Sequence, residues 1–168
     1  MKAQVNHTEM ESKLTAELDL LAKTMEDKRN ANAYDDEYFQ MRRKADDLAF
    51  EIRYHKIMAQ DKKYASEHLW SDVHAYEILE EKTPTTLLVR RLKATRTQES
   101  REQMADSFVA GGFVGHFDNY LQEWTFESDE SNPVIAIRRH KDGLFYAPHS
   151  SCCFSIHEKP YEFYDFNF

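Results

Sequence analysis

Val-Ile-Ala-Ile-Arg-Arg-His-Lys-Asp-Gly-Leu-Phe-Tyr, residues 134–146, is a β-rich run that leads into a tight turn and a second apolar run. Asp142-Gly143 supplies the positive φ angles of a tight hairpin, so the stretch predicts two antiparallel strands. Other β-rich runs surround it: Asp72–Glu81, Thr85–Ala94, Phe108–His116, Trp124–Phe126, Cys152–Ile156 and Tyr161–Phe168. Thr95–Asp106 is polar and is either a loop or a short helix. Strands at this spacing predict a small antiparallel β-barrel or sandwich.

The first 69 residues have a different composition. All 4 glycines and all 4 prolines lie after Leu69. Two apolar stripes with helical spacing precede it: Met10, Leu14, Leu18, Leu21 and Met25, then Tyr38, Met41, Ala45, Leu48, Ile52, His55 and Ala59. They predict two helices, the first starting at a Thr8–Glu11 capping box and the second running from about Asp35 to Ser66.

The fold class expected is therefore α+β. Residues 1–69 form an antiparallel, coiled-coil-like helical hairpin, and residues 70–168 form the small β-domain. A lone pair of helices buries too little surface to be stable, so the hairpin must pack on the second half or on another copy. We expect a homo-oligomer that assembles through residues 8–66.

Charge and composition exclude several classes of protein. The chain has 22 Lys and Arg against 30 Asp and Glu, a net charge of −8. This balance argues against direct binding to nucleic acid, which needs a basic face. We expect neither a membrane-spanning run nor a signal peptide, and the 2 adjacent cysteines form no disulfide framework. We expect a cytoplasmic protein without a membrane partner.

Three stretches carry a resemblance to a known group: Ser71-Asp72-Val73-His74-Ala75-Tyr76-Glu77-Ile78, Gly111-Gly112-Phe113-Val114-Gly115-His116-Phe117-Asp118-Asn119 and Glu162-Phe163-Tyr164-Asp165-Phe166-Asn167-Phe168. Over about residues 71–168 the chain resembles small uncharacterised proteins of bacteriophages, prophages and other bacterial mobile elements. The resemblance implies a phage or mobile-element context, and a β half that is one fold ended by its own aromatic strand. It transfers no catalytic residue, and the hairpin is not matched.

Two sets of residues are candidates for binding or catalysis. His116 and Asp118 lie two apart after glycines and would share a face of an extended segment, as an acid–base pair or metal ligands do. The alternative is a tight loop with His116 as a cap. Arg90, Arg91, Arg138 and Arg139 lie on expected strands, where one arginine of each pair could contribute to a phosphate or nucleotide pocket. The alternative is pairing with carboxylates.

Two further sets lie near the C-terminus. His149, Cys152, Cys153 and His157 offer zinc-type ligands within nine residues, although adjacent cysteines face opposite sides of a strand and core packing is the alternative. Tyr161, Tyr164, Asp165, Phe166 and Phe168 form an aromatic, acidic end that either completes the core or contacts a partner.

The function expected first is that of a non-catalytic interaction protein of phage or mobile-element origin. Its acidic, aromatic β-domain would bind a host protein, such as a nucleic-acid-binding or defence protein, in a counter-defence role. A nucleotide-binding or sponge-like module that uses the four strand arginines is the alternative. A small metal-dependent hydrolase or nuclease is the third. Motifs for cofactors and for standard enzyme classes are missing from the sequence, and no cofactor is expected.

Overall fold

The computed structural model describes residues 5–110 and 116–167. The chain divides into two compact units, Met1–Asp61 and Lys62–Phe168. The first is helical and the second is built mainly of strands. The expected α+β fold class, with a helical hairpin followed by a small antiparallel barrel, is confirmed.

The first unit is an antiparallel hairpin of α1 (His7–Asn30) and α2 (Asp36–Met58). The Asp35 side chain accepts a hydrogen bond from the Tyr38 N–H at 2.9 Å and caps α2. The expected capping box at Thr8 and Glu11 was wrong. Helix α1 starts earlier, because the Asn6 side chain accepts the Glu9 N–H at 3.2 Å.

The expected apolar stripes face one another along the hairpin but remain half-buried. These half-buried positions include Leu14, Leu18, Leu21 and Met25 of α1 and Tyr38, Met41, Ala45 and Ile52 of α2. Burial is deeper at the open end of the hairpin, where Ile57 and Met58 are almost inaccessible. There the Nδ1 atoms of His7 and His55 lie 2.7 Å apart, so one imidazole donates a hydrogen bond to the other.

Helix α2 is shorter than expected, because it ends at Met58 rather than near Ser66. Residues 64–68 instead form strand β1 (Tyr64–His68), which pairs with strands on both of its sides. The division between the units accordingly falls at Asp61–Lys62, ahead of the expected boundary after residue 69. Pairing with distant strands outweighs the local helical pattern of this segment.

The second unit contains a closed antiparallel barrel in the order β1-β2-β3-β6-β7-β8. After β1, its strands are β2 (Val73–Thr83), β3 (Thr86–Arg91), β6 (Val134–Arg139), β7 (Phe145–Tyr146) and β8 (Cys153–His157). Gly143 has a φ of 82° in the turn between β6 and β7, whereas Asp142 is not among the described residues with a positive φ, so the glycine alone adopts the expected left-handed angle. Side chains at alternate strand positions fill the barrel, and Leu87, Val89, Ile137, Phe145 and Phe154 are at most 1% exposed.

A smaller layer accompanies the barrel. Strands β4 (Lys93–Arg96) and β5 (Trp124–Glu127) form a separate two-stranded sheet, so the expected strand Thr85–Ala94 is divided between β3 and β4. Helix α3 (Gln98–Asp106) occupies the polar stretch that allowed a loop or a short helix. Ser100 Oγ donates to the carbonyl of Leu121 at 2.6 Å and ties α3 to a 3-10 helix at Asn119–Leu121.

Candidate functional site

Arg90 lies on the outer face of β3 and is held by its neighbours. Its Nε donates to Glu77 Oε1 at 2.8 Å, and a terminal nitrogen donates to Ser128 Oγ at 3.1 Å. Glu77 stands directly opposite Arg90 in the β2–β3 register. The guanidinium is thus half of a cross-strand ion pair, the carboxylate alternative that the sequence left open.

Arg91 follows the buried positions Leu87 and Val89 and therefore lies on the inner side of β3. One terminal nitrogen donates to the Tyr164 hydroxyl at 3.1 Å and lies 3.6 Å from Glu162 Oε1. The Glu162 side chain has no solvent exposure. Arg91 is therefore engaged with residues near the C-terminus, and only part of its guanidinium is open to solvent.

The inner faces of β1 and β2 add more polar groups at this end of the barrel. The Tyr76 hydroxyl donates to Glu67 Oε2 at 2.8 Å, and His74 Nδ1 lies 4.0 Å from the same oxygen. We call Glu67, His74, Tyr76, Arg91 and Glu162 the polar end of the barrel. Sequence reasoning missed four of the five, although His74 and Tyr76 alternate in phase with the core residue Ile78.

Burial controls the ionisation of the polar end. Burial first, and then the positive charge of Arg91, lower the pKa of His74, which favours its neutral form. Burial and the hydrogen bond to Glu67 raise the pKa of Tyr76, so its phenol stays protonated and continues to donate. The groups of the polar end mainly form hydrogen bonds and ion pairs with one another. The arrangement is therefore better suited to fixing structure than to proton transfer.

Arg138 and Arg139 lie elsewhere on the barrel. Arg138 stands opposite Thr86, whereas Arg90 stands opposite Val134 on the same pair of strands. Four residues along a strand span about 13 Å, at roughly 3.3 Å per residue. The structure therefore does not bring the four candidate arginines into one pocket. Arg138 is exposed at the β6–β7 end, away from the polar end.

His116 and Asp118 each have a local backbone role. His116 is exposed and exchanges two backbone hydrogen bonds of 3.0 Å with Val109. The Asp118 carboxylate accepts the Tyr120 N–H at 3.0 Å and caps the 3-10 helix. Gly111, Gly112 and Gly115, which motivated the prediction, lie outside the described residues, as does most of the expected strand Phe108–His116.

The candidate zinc ligands are not gathered into a cluster. Within residues 5–110 and 116–167, no three His, Cys, Asp or Glu side chains are placed to hold a metal ion. Cys153 and His157 share the outer face of β8, whereas His149 lies in the preceding turn. Cys152 and Cys153 are free thiols, half-buried rather than in the core.

On the outer face of β1 and β8, a serine lies between two histidines. His68 Nε2 lies 2.6 Å from Ser155 Oγ, which lies 2.7 Å from His157 Nε2. The hydroxyl donates to one imidazole and accepts from the other, depending on their tautomers. Burial lowers the pKa of His68 and favours a neutral ring. The sequence did not reveal this triplet, because His68 comes from β1 and the other two residues from β8.

The expected C-terminal strand is absent, and residues 161–167 instead run as an irregular segment across the second unit. Phe163 makes an isolated bridge with Val73 of β2. The Gln122 side chain accepts the Tyr164 N–H at 3.0 Å and donates to its carbonyl at 2.6 Å. The Tyr164 ring lies 5.4 Å from that of Trp124. Tyr164, a candidate for partner binding, thus joins the barrel to the smaller layer.

Asp165 is also held within the unit. Its N–H donates to Asp72 Oδ1 at 2.9 Å, and its Oδ1 accepts from the Asn119 amide at 2.6 Å. Of the other candidates for partner binding, Tyr161 and Phe166 are exposed, and Phe168 lies outside the described residues.

An exposed surface surrounds this chain of hydrogen bonds. Trp70, two residues before Asp72, is 96% exposed, and Tyr120, next to Asn119, is 94% exposed. Phe166, next to Asp165, is exposed as well, and the Arg96 guanidinium lies 4.8 Å from its ring centroid. We call Trp70, Asp72, Tyr120, Asp165 and Phe166 the aromatic acidic face. Sequence reasoning found Asp165 and Phe166 but missed the two most exposed aromatic side chains.

Comparisons with known proteins give no relative from which a role could be transferred. No known family matches the chain, and no match was found among curated proteins or solved structures. Among the described residues, no helix combines the length and apolar character needed to cross a membrane.

Proposed function

We propose that this chain is a non-catalytic interaction protein whose second unit binds a basic protein through the aromatic acidic face. The observation that carries the proposal is the almost complete exposure of Trp70 and Tyr120 beside the carboxylates Asp72 and Asp165. Trp and Tyr are normally well buried in folded proteins, and they dominate the energetics of protein interfaces. A partner that covers them removes a large apolar area from water.

Charge indicates the kind of partner. The unit Lys62–Phe168 carries 17 Asp and Glu residues against 12 Lys and Arg. A basic surface would be attracted to this unit at long range and would then place its cations near Asp72 and Asp165. Binding should consequently weaken as salt screens the attraction.

The interior of the barrel supports a binding role over a catalytic one. Phe145 and Phe154 fill it together with aliphatic side chains, so its strands enclose a packed core. Asp118 is used as a helix cap, and Arg90 and Arg91 are paired with carboxylates. These local roles account for three of the six side chains that the His116–Asp118 and four-arginine hypotheses require.

Self-association through the hairpin is part of the proposal. The helix–helix seam remains half-buried, and Leu20 and Phe39 are 69% and 49% exposed. A second hairpin packed against these helices would bury the apolar area that one copy leaves open. Native mass spectrometry should then give a multiple of 19.9 kDa, and a mass of one chain at micromolar concentration would contradict this part.

The resemblance to phage and mobile-element proteins adds the biological context. It makes the basic partner a protein of the bacterial host, with nucleic-acid-binding or defence proteins as the class and counter-defence as the role.

The experiment compares three immobilised proteins in a bacterial lysate: the wild type, the W70A/Y120A variant and the L79A/V134A variant. Leu79 and Val134 are exposed apolar residues outside the aromatic acidic face, so their replacement is a matched control. We expect one basic protein that is retained by the wild type and the control, lost from W70A/Y120A, and released by 0.5 M NaCl. Equal retention by all three proteins would overturn the proposal.

A further inference from the structure

A pocket of about 460 Å³ opens between the end of β6 and the turn that joins β7 to β8. Its wall includes Arg138, His140, Tyr146, His149 and Ser151. The volume lies within the roughly 300–1,000 Å³ range of small-molecule sites. The proposed interaction with a basic protein leaves this pocket unused.

The pocket lies beside a basic run of an acidic chain. Arg138-Arg139-His140-Lys141 are consecutive, and Arg139, His140 and Lys141 also border a neighbouring depression. The nearby carboxylate of Asp142 accepts hydrogen bonds from the Tyr146 hydroxyl at 2.8 Å and from the Leu144 N–H. These contacts lower the pKa of Asp142, which therefore stays charged. Asp142 does not line the pocket, whereas Arg138 does, so the wall itself carries a positive charge that favours an anion.

One wall of the pocket is aromatic. The rings of His140 and Tyr146 lie 4.6 Å apart between centroids, with an angle of 44° between their planes. Pro148 adds an apolar surface. A planar ligand group could stack on this wall while an attached phosphate reaches Arg138, whose fork of N–H donors suits phosphate oxygens.

His149 is an independent indication of a built site. The Ser150 N–H donates to the carbonyl of Ala147 at 3.2 Å, which closes a turn with Pro148 and His149 at its centre. His149 has a φ of 63° there, a left-handed conformation that glycine adopts without steric cost. A strained histidine in place of glycine adds nothing to the turn itself, but it places an imidazole in the pocket wall.

We propose that this pocket binds a nucleoside phosphate, with the phosphate on Arg138 and the base on the wall formed by His140 and Tyr146. A nucleoside phosphate combines one anionic group with one flat ring. The wall offers a binding group for each: the Arg138 guanidinium for the anion and the His140 and Tyr146 rings for the flat ring. The site uses one of the four arginines that the sequence singled out, together with residues that sequence reasoning did not connect with it.

Calorimetric titration tests this with AMP, adenosine and inorganic phosphate as separate probes. We expect AMP to bind more tightly than either of its parts. R138Q should weaken AMP binding at least tenfold, whereas R43Q, which removes an exposed arginine from α2, should leave it unchanged. H149G should weaken AMP binding with a melting temperature that is unchanged or higher, because glycine suits the turn.

Three results would overturn the proposal. The first is equal affinity of the wild type and R138Q for AMP, and the second is no measurable binding of AMP at millimolar concentration. The third is inorganic phosphate binding as tightly as AMP, which would mean that the aromatic wall takes no part. A native circular dichroism spectrum for R138Q is the control that separates lost binding from lost structure.

Discussion

Replacing Glu162 with alanine removes the carboxylate that joins the C-terminal segment to the barrel. In the wild type, Oε2 accepts the Ala75 N–H at 2.6 Å, and Oε1 lies 3.6 Å from Arg91 in a side chain with no solvent exposure. An unpaired buried N–H costs about 1–3 kcal/mol. The lost attraction to the partly exposed Arg91 adds under about 1 kcal/mol after solvent screening. We therefore expect E162A to destabilise the second unit by about 3 kcal/mol.

Urea unfolding followed by tryptophan fluorescence measures this loss. Trp124 packs against Tyr164 and reports on the segment, whereas Trp70 is already exposed. With a slope of about 2 kcal/mol per molar urea, the midpoint should fall by about 1.5 M. E158A, which removes an exposed carboxylate, should change stability by less than about 0.5 kcal/mol. Equal midpoints for E162A and E158A would refute the structural role assigned to Glu162.

Three further predictions concern the barrel. In the folded state the pKa values of His68 and His74 lie below the ordinary 6.5. The contribution of these two histidines to stability is therefore present above pH 6.5 and is lost as the pH falls through the lowered pKa values. The urea midpoint should therefore drop between pH 7.5 and pH 5, and less steeply in H74Q; parallel profiles would contradict this. G143A should cost about 1–2 kcal/mol in thermal unfolding, because Gly143 holds a φ of 82°, and no change would contradict the turn geometry. F154A should cost about 3–5 kcal/mol by urea denaturation, because the ring is fully buried, and a loss below about 1 kcal/mol would contradict the packed barrel.

Local patterns predicted the elements that depend on local physics. The spacing of Leu14, Leu18 and Leu21 identified α1, and Asp142-Gly143 identified the β6–β7 hairpin, because each signal lies within a few residues of the structure that it specifies. The end of α2 could not be placed in this way. Strand β1 exists because Tyr64 pairs with Glu77 and His157, and those partners are distant in sequence.

The residues near the C-terminus show a second limit. Their aromatic pattern predicts a strand, but the backbone of Tyr164 bonds to the side chain of Gln122, and that of Asp165 bonds to Asp72. Side-chain partners of this kind leave no periodic trace in a sequence. Tyr164 and Asp165 were identified as functional candidates from their chemistry alone, and the structure adds the contacts that hold them.

The arginines show how much of a site can be predicted from the alternation of side chains along a strand. The order Leu87, Val89, Arg91 places Arg91 on the inner side of β3 and Arg90 on the outer side, and the structure agrees. Alternation does not give the register between strands. The separation of Arg90 from Arg138 along the β3–β6 pair therefore became known only from the fold.

The central claim is that the aromatic acidic face binds a basic protein. The most direct test is to purify the basic protein captured from the lysate and to measure its affinity for the wild type and for variants of the exposed surface of the second unit. Biolayer interferometry would compare the wild type, W70A/Y120A and L79A/V134A, each with both units, at 0.1 M and 0.5 M NaCl. We predict at least tenfold weaker binding for W70A/Y120A, wild-type affinity for the control, and weaker binding of the wild type at 0.5 M NaCl. Equal affinities for all three proteins, unchanged by salt, would contradict the account.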